Sequence, residues 1–414
     1  MSELIDFGAL RNCGCGRVHT AATKVVLARG ALAQLPAVIR ECGLTGHALI
    51  ACDENTRRAA GEKAAQILRE AGIESRLVVL GGTHVSPDEA AVEALRVPAE
   101  GCGFLIAAGT GVIHDICRYL SHALGVPFVS LPTAASVDGF LSSVACMTFH
   151  EEKVTTPAHA PVACVADIDV IAAAPRRLAS SGAGDIMGKY ISLADWEISN
   201  LVTGEYYCEA LDAMERRAVE IVAEKAGALR TGDADAIEAL TGALLLSGLA
   251  IQLAGSSRPG SGAEHHLSHF WEAALLKLGR DVLHGEKVGV AAVLMTRIYR
   301  QAAQSPDFRP EPLPDACAQE LERYGTGLCE TVLKGMREHP HIAAGDVAQH
   351  WAEIRAIIGQ LPTPERIQSL LRLAGAPVEP EELGVDRELL SLGLRCCPYM
   401  RVRTTFYSML RGAV

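Results

Sequence analysis

Residues 103–133 read "GFLIAAGTGVIHDICRYLSHALGVPFVSLPT". A short apolar run ends at Gly109-Thr110-Gly111, a helical pattern follows, and a second apolar run begins near Phe128. Strand, glycine turn, helix and strand make a βαβ unit, whose crossover joins parallel strands. The same alternation runs upstream. "KVVLA" precedes the amphipathic "LAQLPAVIREC", and "HALIAC" precedes "NTRRAAGEKAAQILREAG". "SRLVVLG" precedes a helix opening at Ser86-Pro87-Asp88-Glu89. These runs predict an α/β, Rossmann-like N-terminal domain that binds ligands at the carboxyl ends of its strands. Past Pro175 the β runs stop. Helical periodicity takes over, as in "YYCEALDAMERRAVEIVAEKAGALR" and "DAIEALTGALLLSGLAIQLAG". The expected organisation is an α/β domain over 1–172 and an all-α domain over 173–414, with a cleft between them.

The 414 residues are 49% hydrophobic and 21% charged, with a net charge of −11, so a folded chain with a large core is expected. That charge argues against a general nucleic-acid binder. The first twenty residues lack a basic stretch followed by an apolar one, and no apolar run is long enough to span a bilayer. "LTGALLLSGLAIQLAG" reads as a buried helix. The thirteen cysteines are scattered, many of them in apolar stretches, which suits reduced thiols in a cytoplasmic protein. Cys13, Cys15 and His19 in "CGCGRVH" invite a zinc reading. The C-x-C spacing is tighter than that of usual structural sites, so a local turn is the preferred interpretation.

Three strand ends carry chemistry. Gly109-Thr110-Gly111 opens a helix, whose N–H groups suit a pyrophosphate; a tight strand-to-helix turn would require glycines for itself. "LPTAASVDG" brings Thr133, Ser136 and Asp138 to a second end, where they could bond a cofactor or cap a helix. "ACDEN" places Asp53 at a third, as a ribose acceptor or an N-cap. In the helical half, Asp185 follows what reads as a small-residue loop in "SSGAGDIMGKY". "AEHHLSH" and "VLHGEKVG" then supply His265 and His284. His265 and His269 are four apart and share a helix face, while His266 points elsewhere. Asp185, His265 and His284 are a plausible set for an open divalent site, zinc first, with nickel or iron also suited.

Taken together, "AAGTGVIHDICRYLSHALGVPFVSLPTAASVDGFLSS", "GAGDIMGKYISLADWE", "SSRPGSGAEHHLSHFWE" and "LHGEKVG" resemble the sn-glycerol-1-phosphate dehydrogenases. The closest likeness is to their bacterial metal-dependent branch, within the iron-alcohol-dehydrogenase and dehydroquinate-synthase-like superfamily. The resemblance implies that superfamily's two-domain architecture, with NAD or NADP and one divalent metal. Gly109, Thr110, Gly111, Val112 and Ile113 would hold the pyrophosphate. Thr133, Ala134, Ala135 and Ser136 would line the nicotinamide side, with Ser142 nearby. Asp138 and His269 would face the substrate, and Asp185, His265 and His284 would bind the metal. The family's usual G-S-G-T-I-N-D turn reads G-T-G-V-I-H-D here, placing Val112 and His114 where Thr and Asn are common.

The implied reaction interconverts sn-glycerol 1-phosphate and dihydroxyacetone phosphate. A phosphorylated small molecule is therefore the expected partner, in a homodimer or larger homo-oligomer. Arg118, Lys189, Arg258 and Lys287 are candidates to hold the phosphate. A polyol dehydrogenase without phosphate selectivity, a dehydroquinate-synthase-like cyclase and a binding protein without turnover are the competing readings. Net NADH formation separates a dehydrogenase from a cyclase.

Overall fold

The computed structural model describes residues 10, 13–20, 23–82, 85–149 and 152–412. Most of the start of the chain, where a leader was sought, lies outside them.

Eight strands form: β1 (Lys24–Ala28), β2 (Ala48–Asp53), β3 (Ser75–Leu80), β4 (Phe104–Gly109), β5 (Phe128–Pro132), β6 (Val144–Phe149), β7 (Glu152–Pro157) and β8 (Ala163–Asp167). Six make one sheet in the order β1-β8-β5-β4-β2-β3, and every pairing in it is parallel. The five apolar runs read from sequence are β1 to β5. The sixth strand, β8, lay in "VACVADIDVIAAAP" and inserts between β1 and β5. The antiparallel hairpin β6–β7 was also missed; β6 lies within "SSVACMTF".

Alternation along the strands separates two cores. Leu49, Ala51, Leu105, Ala107 and Phe128 share one with Val92, Leu95, Ile116 and Leu120. Ile50, Cys52, Ile106, Ala108, Val129 and Leu131 share the other with Leu35, Val38, Ala64 and Leu68. The helices supplying these partners are α1 (Leu35–Glu41) and α2 (Glu62–Glu70) on the second face, and α3 (Glu89–Arg96) and α4 (Gly111–Leu124) on the first. Burial on both faces is why the central strands read as continuous apolar runs. Truncating Ile106 to Ala in this packing should cost about 2–5 kcal/mol.

The longer helices that follow are α5 (Arg176–Thr203), α6 (Glu209–Thr231), α7 (Ala234–Ala254), α8 (Ala263–Lys277) and α9 (His284–Ala302). Two compact units result. Among the described residues, one takes those of 19–182 and 228–255, and the other takes 10, 13–18, 183–227 and 256–412. Helix α7 thus belongs with the sheet. It has the length and hydropathy of a membrane span, yet 83% of its most apolar window is buried in the protein.

"SSGAGDIMGKY" lies inside α5, so the expected loop is corrected to helix. Its glycines serve close packing. A Cβ on Gly184 would sit 2.1 Å from the Gly285 carbonyl oxygen, and one on Gly188 would sit 2.5 Å from Val288. Each helical glycine costs about 1 kcal/mol relative to alanine. In return, α5 and α9 approach closely at the turn that carries Asp185 and His284.

Candidate active site

In the second unit, α5, α8 and α9 bring three predicted ligands together. Asp185, His265 and His284 each offer a donor atom, and these atoms lie within 4.8 Å of one another. His265 Nε2 is 3.6 Å from Asp185 Oδ1, and its ring centroid is 5.2 Å from that of His284. The other His265 nitrogen, Nδ1, is 2.6 Å from Glu264 Oε1. That bond assigns the proton to Nδ1 and leaves Nε2 as the ligating nitrogen. Glu264 Oε1 also accepts from the Gly262 N–H at 2.9 Å, so the loop before α8 positions the carboxylate.

Groups of the protein set the charge balance at this site. Burial opposes ionisation of Asp185, but the Lys189 ammonium and the adjacent His265 outweigh it and hold the carboxyl below its ordinary range. Lys189, fully buried one turn along α5, donates to Asp185 Oδ1 at 2.9 Å and to the Gly260 carbonyl at 2.9 Å. For His265, burial disfavours charge, but the neighbouring carboxylates of Asp185 and Glu264 raise its pKa above the usual histidine value. Burial pushes His284 down to about 4 despite the nearby Asp185. A neutral imidazole and an ionised carboxylate are the ligating forms.

His269 lies one turn beyond His265, with ring centroids 6.0 Å apart. Its Nδ1 is 3.5 Å from Glu272 Oε2, and its Nε2 is 3.5 Å from an Arg401 nitrogen. Burial pushes its pKa down to about 3. Donor atoms of His269, Glu272 and His284 also fall within 4.8 Å of one another, so His284 belongs to two metal-capable sets. The sequence reading missed Glu264, Glu272 and Arg401. Glu272 was detectable, since it lies three residues after His269 and seven after His265, on the same helix face. Arg401 gave no local signal.

In the first unit, β2, β4 and β5 place their carboxyl ends side by side. Asp53 and Gly109 close neighbouring strands, and Thr133 follows Pro132, which pairs with Gly109. Gly109 has a steric cause, because a Cβ there would lie 2.6 Å from Ile113. Thr110 is the N-cap of α4 without a side-chain cap bond, so Gly111, Val112 and Ile113 carry the first N–H groups of the helix. His114 holds this turn from beneath. Its Nδ1 donates to the Thr110 carbonyl at 2.9 Å, and its Nε2 accepts from Ser130 Oγ at 2.8 Å. Burial pushes its pKa down to about 3, which keeps it neutral.

Other predicted residues are structurally engaged. Asp53 Oδ1 accepts from the N–H groups of Asn55 and Thr56, so it is an N-cap whatever else it binds. The Thr133 N–H donates to the Gly109 carbonyl at 3.1 Å, joining the ends of β4 and β5. Ala134 and Ala135 are buried, and a Cβ on Gly182 would meet the Ala135 carbonyl oxygen at 2.2 Å. The Ser136 carbonyl accepts from Ser181 Oγ, and Asp138 Oδ2 accepts from Ser247 Oγ at 3.0 Å. Ser142 Oγ accepts from the Val144 N–H at 3.1 Å.

The chain is similar to known proteins of one family. The profile described as iron-containing alcohol dehydrogenase matches residues 26–175. A glycerol-1-phosphate dehydrogenase [NAD(P)+] of Bacillus licheniformis is 35% identical, covering 98% of this chain and 94% of its own. A protein of the same name from Thermococcus kodakarensis is 33% identical, over 67% of this chain and 77% of its own. Among solved structures, the glycerol dehydrogenase of Schizosaccharomyces pombe aligns with a TM-score of 0.61 at 20% identity, covering 88% of this chain and 94% of its own. The maleylacetate reductase of Agrobacterium tumefaciens aligns with a TM-score of 0.61 at 16% identity, covering 96% of each chain. At such identities these two likenesses establish the fold.

Proposed function

The chain belongs to the family of glycerol-1-phosphate dehydrogenases, and from that premise we propose that it interconverts sn-glycerol 1-phosphate and dihydroxyacetone phosphate with NAD(P)(H) and a divalent metal. The observation that carries the reading is the donor set of Asp185, His265 and His284, with the His265 tautomer fixed by Glu264. One carboxylate and two imidazoles fit a catalytic ion that keeps a position open, with zinc the first choice and nickel or iron chemically suited. When bound, such an ion supplies Lewis acidity toward the C2 oxygen. The nicotinamide supplies hydride chemistry at C2.

The protein's own share is binding and orientation. The N–H groups after Gly109 and Thr110, on Gly111, Val112 and Ile113, receive the pyrophosphate. Thr133 to Ser136 and Ser142 line the nicotinamide side. Asp53 accepts from the adenosine ribose and favours NAD over NADP. Asp138 and His269 face the substrate. His269, held neutral beside Glu272 and Arg401, orients the substrate hydroxyl rather than storing a proton. Arg401 is the candidate to read the phosphate. It adjoins Arg403, whose pKa is pushed down to about 9 by burial and by the guanidiniums of Arg258 and Arg401. The cofactor falls to residues 1–172, and metal and substrate fall to 173–414. Thirteen cysteines without a disulfide suit work in the cytoplasm, as a homodimer or larger.

The test is NADH oxidation by metal-loaded protein on dihydroxyacetone phosphate and on dihydroxyacetone. Two charge-assisted hydrogen bonds to phosphate, each contributing about 1.5–3 kcal/mol, should separate the ketones by about two to four decades in kcat/KM. Arg401→Met should close most of that gap. A fixed metal and nicotinamide deliver hydride to one face, so the product should be the sn-1 phosphate. Equal rates, or sn-glycerol 3-phosphate as product, would leave only a metal-dependent polyol dehydrogenase.

A further inference from the structure

The second unit holds a cluster of thiols that the proposed reaction does not use. Gly14 and Gly16 adopt left-handed backbone conformations, with φ of 67° and 81°, and curl "CGCG" into a tight knuckle. The knuckle brings Cys13 Sγ and Cys15 Sγ to 3.2 Å, each half-buried. Cys208, far along the chain and fully buried, completes the group at the entrance to α6, and the three sulfurs lie within 4.8 Å of one another. Cys15 Sγ is also 3.4 Å from the Tyr206 hydroxyl, whose ring carries the Arg17 guanidinium 3.6 Å from its centroid.

Burying three thiols alone would require only an apolar pocket. This cluster instead converges three sulfurs beside Tyr206 and Arg17 at the N-terminal end of α6. We propose that Cys13, Cys15 and Cys208 bind a soft divalent cation, zinc, as thiolates, in a structural site separate from the Asp185–His265–His284 centre. Thiolate donors select zinc over the hard cations that carboxylates prefer. Binding replaces one proton on each sulfur and releases those protons to solvent. The site fastens the N-terminal knuckle to the start of α6, adding to the contacts of Cys15 and Arg17 with Tyr206. His19, which the sequence groups with these cysteines, is held in its own unit with Nδ1 3.1 Å from the Leu253 carbonyl. An imidazole bonded in that way keeps Nε2 as its metal-capable nitrogen.

The test loads the full-length protein with cobalt(II). A carboxylate and two imidazoles give no thiolate-to-cobalt charge-transfer band in the near ultraviolet, and a thiolate site does. The wild type and His265→Ala should both show the band. Cys13→Ser, Cys15→Ser and Cys208→Ser should lose it together with one equivalent of bound metal, and Cys317→Ser should keep both. Absence of the band from the wild type, or its persistence in Cys208→Ser, overturns the assignment. So does a Cys13–Cys15 disulfide in metal-loaded protein isolated under reducing conditions. Alkylation of the wild type gives a measurement independent of how the variants fold. Zinc should protect Cys13, Cys15 and Cys208 together without protecting Cys317, and a chelator should reverse it. Equal labelling with and without zinc also overturns the proposal.

Discussion

Replacing His114 with alanine tests whether the cofactor turn is held by a neutral, fully buried imidazole. The ring bridges the Thr110 carbonyl and Ser130 Oγ and packs edge-on against Phe140, with centroids 4.9 Å apart. Near neutral pH the variant loses two hydrogen bonds, each with a net value of about 1 kcal/mol, and leaves a ring-sized cavity. The combined cost should be about 3–5 kcal/mol. The pH dependence is more diagnostic. His114 titrates near its ordinary 6.5 in the unfolded chain and at about 3 in the folded one. The folded state therefore favours the neutral ring, and the stability this supplies is complete above 6.5 and declines as pH falls toward 3. The decline is about 1.4 kcal/mol for each pH unit, or roughly 3 kcal/mol between pH 6.5 and 4.5. Alanine has no such loss, so the wild-type advantage should shrink from about 3–5 to about 0–2 kcal/mol at pH 4.5. Buried His266, His269 and His284 titrate in both proteins and cancel in the difference. Hydrogen exchange at the slowest amides of β4 and β5, corrected for intrinsic rates, reads the opening free energy at both pH values. A gap of equal size at both, or one that widens in acid, would refute a neutral His114.

Three further substitutions test the rest of the site. His265→Ala should lose bound metal and nearly all activity while remaining folded; full occupancy by elemental analysis would remove His265 from the ligand set. Asp53→Ala should narrow the preference for NAD over NADP and cost about 1 kcal/mol as a lost cap; an unchanged preference would leave Asp53 a cap alone. Gly184→Ala forces a methyl to within 2.1 Å of the Gly285 carbonyl oxygen, so α5 and α9 must separate beside Asp185 and His284. Metal affinity should fall at least tenfold and stability by about 1–3 kcal/mol, and unchanged metal affinity in a titration would show that the approach of the helices does not set the site.

The fold was legible where the physics was local. Strands buried on both faces produce apolar runs, so β1 to β5 were readable. β8 is as apolar, but it lies where the β runs give way to helices. The β6–β7 hairpin, though local, was missed because β7 (Glu152–Pro157) is a polar run without apolar alternation. The glycines of α5 show the opposite error. Small residues in "SSGAGD" resemble a loop to any rule based on propensity, whereas Gly184 and Gly188 are set by what packs against them on α9. Of the candidate site, the three metal donors stood out by residue type and now converge. Glu264, which fixes the His265 tautomer, is an ordinary glutamate until the bond of Nδ1 to Oε1 is seen.

The cations make the same point for substrate recognition. Arg118, Lys189, Arg258 and Lys287 were equal candidates for the phosphate because each lies in a distinctive motif. The structure engages all four with groups of the protein. Arg118 is buried, with Asp115 at 2.6 Å and the Gly139 carbonyl at 2.5 Å, so it shapes the segment after Asp138. Lys189 balances Asp185. Arg258 holds Glu205 and the Thr404 carbonyl. Lys287 donates to the Val282 carbonyl at 2.5 Å. A buried cation already matched to carboxylates and carbonyls gains little from a phosphate, because its desolvation is compensated before the ligand arrives. Arg401 differs in place: its guanidinium lies beside His269, near Arg403, whose pKa burial and the guanidiniums of Arg258 and Arg401 push down. A phosphate dianion bound there would meet several guanidiniums at once. Arg401 is the candidate the proposed reading puts to the test, although no short motif around it singled it out.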